Sequence, residues 1–365
     1  MSSASALDAI RPRVAAHAFA PTENGFTVDP DTGYDGVADR KSTDWRVRTL
    51  AVRDLVRLGF DDIGPVVDML DHDRPSVRTL GALALGILGA EGANDPLTQR
   101  LQADPNPVVR AHAAIALGQI GTPNETVARL ATTADHRDVR HPCTVAQARI
   151  EQGEAVEPAV ADQWAALDPS AFGRVQPGDP APDVVLEDTD GSHWRLSDRH
   201  GDKTVVLLWV FADWCPVCHK EFHSLIRRED RFREQDIEVV TLECHDRYRS
   251  RVMVGQEIRP PYWFADDVPG DHHPLAPYPE KRWWPHLVDR GAAAGLRYGI
   301  DPLQFAVHSE LVNRPTAVIV DPDGIVRFAY TGRYWGDRPT IGQILDMIET
   351  DTYQFDPPPL RQGPH

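Results

Sequence analysis

One pattern limits this chain more than any other. A Val-Arg pair returns at Val47–Arg48, Val77–Arg78, Val109–Arg110 and Val139–Arg140, at intervals of 30, 32 and 30 residues. A fixed period of this length specifies paired helices that stack on one another. Within a unit the apolar positions fall three and four apart, as in Val77, Leu80, Ala84 and Ile87, which makes one buried stripe. Asp and Pro open the units, where a side-chain acceptor and a preset φ suit the first turn. Small residues such as Ala82, Ala113 and Ala114 let neighbouring helices approach closely. In the first three units a glycine stands eleven residues after the arginine (Gly59, Gly89, Gly121), which predicts a left-handed helix end. Second helices are predicted over 63–70 and 125–130, and a capping helix over 157–167.

Beyond about residue 151 the period stops. The stretch DPSAFGRVQPGDPAPD is rich in Pro, Gly and Asp and reads as a linker. After it, β-rich runs (DVVLED, HWRLSD, TVVLLWVF, IEVVTLE, TAVIVD, IVRFAYTG) alternate with amphipathic segments, the last two joined by the turn 321–324. The architecture predicted is therefore multidomain: an all-α helical repeat array followed by an α/β fold. The boundaries are an N-terminal extension over 1–43, repeats over 44–152, a linker over 153–174, the α/β domain over 175–353 with an insertion at 259–300, and a disordered tail over 354–365.

The formal charge of -17 repels phosphate backbones and anionic lipid, so neither nucleic acid nor a membrane surface is an expected partner. The apolar run Val205–Ala212 is under half the length of a bilayer crossing. The N-terminus shows no apolar stretch followed by a cleavage site, and a cytoplasmic location is expected. Four cysteines in 365 residues do not make a stapled secreted scaffold. Two of them form the motif Cys215-Pro216-Val217-Cys218, directly after a buried strand and at the mouth of a helix predicted to run to about residue 234. A cysteine there faces unpaired amides and the positive end of the helix dipole, which favour the thiolate, the attacking form. A second cysteine one turn on can close a disulfide and release what the first attacked. On this reading Cys215, at the helix start and more exposed, is the nucleophile, and Cys218 resolves.

The repeats resemble short HEAT-like repeats, over about 44–152. The second half resembles the thioredoxin-like superfamily, in particular redoxins of the alkyl hydroperoxide reductase/thiol-specific antioxidant and TlpA/ResA type. That likeness is carried by GDPAPDVVLEDTDGSHWRLSD, FADWCPVCHKEF and NRPTAVIVDPDGIVRF in that order. The HEAT likeness implies a surface for a protein partner, or packing within the same chain. The redoxin likeness implies thiol–disulfide exchange on a protein or small-molecule substrate, with no cofactor and no resident metal. It also implies a cis proline facing the cysteine pair, a role that falls to Pro315, with Arg314 and Thr316 beside it.

Other readings of the motif compete. CPVCH fits haem attachment with His219 as axial ligand, and a zinc site could draw on Cys244 and His245. A peroxidase pocket would want proline seven and threonine three residues before the cysteine. Counting back from Cys218 gives Phe211 and Cys215, and from Cys215 gives Leu208 and Ala212, so thiol–disulfide exchange is favoured over peroxidase activity. A non-catalytic redox sensor is the opposing class. Trp214 is expected to pack over the pair, Cys244 to be a third redox thiol or an inert one, and Glu221 and His223 to shuttle protons or face solvent. In the insertion, Tyr262, Trp263, Trp283 and Trp284 are expected to wall a substrate pocket or to pack on the repeats, and the pair His272–His273 lies between them.

Overall fold

The computed structural model describes residues 45–258, 282–300, 310–332 and 336–357, with a few isolated positions (28, 29, 34, 35, 260, 278, 306 and 307). The extension over 1–43 is almost wholly outside the described residues, as are Tyr262, Trp263, His272 and His273.

The repeats form helices Trp45–Asp61, Gly64–Asp68, Pro75–Ile87, Asn94–Ala103, Pro107–Ile120, Glu125–Thr133 and Arg137–Glu151, and the capping helix follows at Pro158–Ala166. The repeated arginine has a physical task. Arg78 forks onto buried Asp104 at 2.7 and 2.9 Å and also donates to the carbonyls of His72 and Asp73. Arg110 and Arg140 likewise donate to the carbonyls of Leu101 and Ala134. Each arginine thus ties the start of its own helix to the loop that ends the preceding one, and satisfies carbonyls that the earlier helix leaves open. Gly121 ends its helix at φ 78°, as the sequence predicts. Gly59 does not. It lies inside helix Trp45–Asp61, where a Cβ would fall 2.3 Å from Leu88 Cδ1, so its small size serves close packing.

The second half is built on a five-stranded mixed sheet ordered Val326–Thr331, Thr316–Val320, Thr204–Trp209, Ile237–Glu243, His286–Val288. The last three strands are parallel, and the first two close the sheet as an antiparallel hairpin. Thr204–Trp209 is central and almost fully buried, which is why it reads as a continuous apolar run. A short hairpin, Val185–Glu187 with His193–Arg195, stands outside this sheet. The single helix expected after the cysteine motif is two, Pro216–Ile226 and Glu229–Glu234, parted at Arg227–Arg228. Trp283 and Trp284 line a pocket with Arg233, Asp236 and Pro285, and neither thiol is part of it. Trp283 lies against Phe232 and donates to the Leu225 carbonyl, and Trp284 meets Phe222 edge-on and donates to Thr241. The tail also differs from expectation, because Phe355 packs edge-on against Tyr330 at 4.8 Å. Residues 358–365 lie outside the described part. Among the described residues no helix is long and apolar enough to cross a membrane.

The two halves are packed together. Helix Arg137–Glu151 sends Val145 into the apolar cluster that holds Cys215 and Cys218, and His141 meets the ring of Trp214 edge-on at 6.1 Å. Ion pairs hem this contact. Arg149 pairs with Asp246, and Glu157 takes Arg290 at 2.6 Å and Arg247 at 3.8 Å. The Arg78–Asp104 clamp sets the first test. Arg78→Ala leaves a buried carboxylate without its cation and is expected to lower unfolding stability in urea by about 3 kcal/mol. The double change Arg78→Met/Asp104→Leu should recover most of that loss.

Candidate active site

The site begins with the turn that leaves the central strand. Ala212–Trp214 carries the chain off the sheet edge, and Cys215 becomes the N-cap of helix Pro216–Ile226 with extended φ/ψ of −77° and 116°. Pro216 at the first helical position supplies the preset φ that this entry requires. Cys218 then lies one turn inside, folded back under the strand it followed.

Both cysteines are free thiols and both are buried, Cys215 at 1% exposure and Cys218 at 0%. The expectation that Cys215 is the more exposed of the two therefore does not hold. Trp214 is buried beside them, edge-on to Phe211 at 5.6 Å and to His141 of the repeats. This cover, supplied from the other half of the chain, removes the difference in exposure that position alone suggests.

The donors in the site converge on Cys218. Its Sγ accepts from the Phe211 amide at 3.2 Å and from Arg338 Nη2 at 3.2 Å. A further hydrogen bond joins it to the Cys215 thiol. Burial alone would push the Cys218 thiol up, but the bond from Cys215, the charge and hydrogen bond of Arg338 and the Phe211 amide outweigh it and bring it down to about 6. Cys215 moves the other way. Burial pushes it well above the ordinary thiol value, and its hydrogen bond to Cys218 and the charge there push in the same direction. The two shifts favour the thiolate on Cys218 over Cys215, the reverse of the order read from the helix mouth.

Arg338 is shared. Its Nη1 donates to Glu221 Oε2 at 3.0 Å, so one buried guanidinium bridges the Cys218 thiol and a carboxyl on the same helix. Burial raises Glu221 to about 7, against the lowering pull of Arg338. Glu221 is thus a buried carboxyl and does not belong to a solvated helix face. His219 points elsewhere, with Nε2 2.6 Å from the Asp213 carbonyl and Nδ1 2.5 Å from the Tyr278 hydroxyl, so its ring ties the helix to its surroundings. His223 packs on the same tyrosine, the rings 5.0 Å apart.

The remaining candidates have partners of their own. Arg314 and Pro315 head the strand Thr316–Val320, where the Pro315 carbonyl accepts from the Gly332 amide at 2.7 Å and Arg314 Nε donates to the Gly332 carbonyl at 2.9 Å. No cis peptide bond occurs among the described residues, so the bond before Pro315 is trans, contrary to what the family likeness implies. Pairing with Gly332 closes the turn on a trans backbone. Cys244 ends strand Ile237–Glu243, accepts from the Asn313 amide and is pushed well up by burial and by the charges of Glu243 and Asp289, which makes it a poor nucleophile. Donor atoms of Asp213, Glu243 and His245 lie within 4.8 Å of one another. Arg249 already pairs with Asp213, through Nε at 2.9 Å and Nη2, and His245 and His286 lie 2.8 and 3.3 Å from Glu243, so each of these donors already has a protein partner.

Arg338 is the residue that sequence reasoning misses. It stands 120 positions after Cys218, and no spacing or motif ties the two. Its only sequence signal is a cation just before the capping box at Thr340 and Gln343 of helix Ile341–Glu349.

Comparison with known proteins agrees with this architecture. Residues 177–329 match the AhpC/TSA family, and residues 38–118 and 94–165 match HEAT repeats. The chain is 35% identical over 68 residues to the thiol-disulfide oxidoreductase ResA of Bacillus subtilis, a match spanning 19% of this chain and 37% of that protein. It is 24% identical over 172 residues to ResA of Geobacillus thermodenitrificans, covering 47% of this chain and 78% of the relative. It is 23% identical over 157 residues to a putative peroxiredoxin in the rubredoxin operon of Clostridium pasteurianum, covering 42% and 76%. Among solved structures, reduced 2-Cys peroxiredoxin of Plasmodium vivax superposes with a TM-score of 0.35 at 20% identity, over 48% of this chain and 96% of that one. Residues 177–329 thus carry an AhpC/TSA-type redoxin domain, and HEAT repeats precede it.

The charge on Cys218 gives a pH test. Because its folded pKa lies below the unfolded thiol value, the stability it contributes is present above that unfolded value and is lost as pH falls through about 6. Iodoacetamide labelling of Cys218, followed by peptide mass spectrometry, should rise with a midpoint near pH 6. Arg338→Met should move that midpoint toward the ordinary thiol value of about 8.5.

Proposed function

We propose that the protein is a dithiol–disulfide oxidoreductase in which Cys218 attacks and Cys215 resolves. The observation that carries the reading is the convergence of Arg338, the Phe211 amide and the Cys215 thiol on one sulfur. A thiolate held at neutral pH attacks a disulfide R–S–S–R, forming Cys218–S–S–R and releasing RS⁻, which takes up a proton. Glu221, raised to about 7 and sharing Arg338 with Cys218, is suited to exchange that proton near neutrality. Deprotonated Cys215 then attacks the Cys218 sulfur, a second RS⁻ leaves, and the Cys215–Cys218 disulfide remains. The substrate has gained two electrons, the protein pair has lost two, and an external dithiol restores the pair.

A second reading has an observation of its own. A fully buried thiolate between a guanidinium and an amide also suits a peroxide, whose leaving oxygen those donors would stabilise. Cys218–S⁻ and ROOH, with one proton, give Cys218–SOH and ROH. Cys215 then condenses with the sulfenic acid and releases water. As for the HEAT repeats, their packing over Trp214 supports a role in shaping access to the thiols rather than in recruiting a partner.

The two cysteines are separated by their variants. With dithiodipyridine, the wild-type pair should release two thiopyridone molecules, Cys215→Ser one with a trapped mixed disulfide, and Cys218→Ser none on the same timescale. The outcome in which Cys218→Ser forms the mixed disulfide and Cys215→Ser does not would reverse the assignment. Dithiothreitol-driven turnover with hydrogen peroxide in place of the disulfide decides the second reading.

A further inference from the structure

Between the repeats and the redoxin domain lies a cavity of about 110 Å³. Ile87, Ile115, Val145 and Trp164 line its repeat side, and Cys244 and His245 lie on its redoxin side. Ile115, Cys244 and His245 are only half-buried, so the cavity meets solvent. The cavity is placed with respect to the thiols. Val145 belongs both to its wall and to the apolar cluster of Cys215 and Cys218. Arg249, in the wall, holds Asp213, two residues before Cys215.

The lining also sets the charge of what fits. Each charged side chain in it is already matched: Arg149 with Asp246, Arg249 with Asp213, and His245 with Glu243 at 2.8 Å. An ionic ligand would have to break one of these pairs, whereas a neutral one meets the hydrocarbon wall together with the side chains of His112 and Gln119, whose Oε1 is buried without a hydrogen-bond partner. A closed apolar cavity of about 150 Å³ holds a benzene ring, so in this smaller space a ring fits only because the cleft opens to solvent.

We propose that this cleft binds the aryl or branched-alkyl group of a small neutral disulfide and presents it to the thiol pair, so that helices of the HEAT repeats select the substrate. The selection rests on the redox reading above, and the binding does not. Benzyl alcohol, titrated calorimetrically into the reduced full-length protein, tests the binding. The wild type should show saturable binding, Ile115→Trp should weaken it about tenfold, and the milder Ile115→Met should weaken it less. The preference in kcat/KM for dithiodipyridine over hydroxyethyl disulfide should fall about tenfold in Ile115→Trp. Absence of saturable binding, or binding and preference unchanged in both variants, would overturn the proposal. If benzyl alcohol binds and both variants weaken it while the wild type reduces neither disulfide, the redox reading is overturned and the cleft stands as a site for neutral apolar molecules.

Discussion

The site depends on one buried guanidinium. Arg338 stands where the chain has excluded water, and it is held there because Cys218 and Glu221, on the same helix, each accept a hydrogen bond from it. Without such a partner, burial would keep both thiols protonated, and the helix mouth would have little to act on. The dipole of a helix with eleven residues is a weak field beside a full charge at 3.2 Å. That comparison explains why the charge is favoured on the inner cysteine over the one at the N-cap.

The second constraint is the seam between the halves. Ion pairs such as Arg149–Asp246 and Arg290–Glu157 are largely buried, and pairs of that kind fix orientation more surely than they add stability. Here they hold helix Arg137–Glu151 over Trp214. That helix itself lies close to its neighbour, since a Cβ on Gly118 would fall 2.7 Å from Ala146. A chain of close contacts therefore runs from the interior of the repeats to the edge of the thiol pocket.

How much of this was legible in the sequence depends on whether the governing contact was local. The repeat could be read because each arginine closes a loop only a few residues away, or one unit away as with Asp104. The order of strands and the Cys-x-x-Cys at a helix start follow from patterns within a single element. What escaped was decided between elements. Arg338 reaches Cys218 from beyond the last hairpin, the strand His286–Val288 lies inside what looked like an irregular insertion, and Gly59 answers to Leu88 rather than to a helix end. The exposure of Cys215 failed for the same reason, because its cover comes from a residue more than seventy positions earlier.

Val145 carries a last consequence. A side chain from the repeats that completes the apolar shell of the thiols ties the packing of each half to the other. Once that shell is shared, neither half can drift or be exchanged without leaving a hole in the other. Recombination that shuffles such modules freely elsewhere would be punished here, and the two would be inherited as one piece.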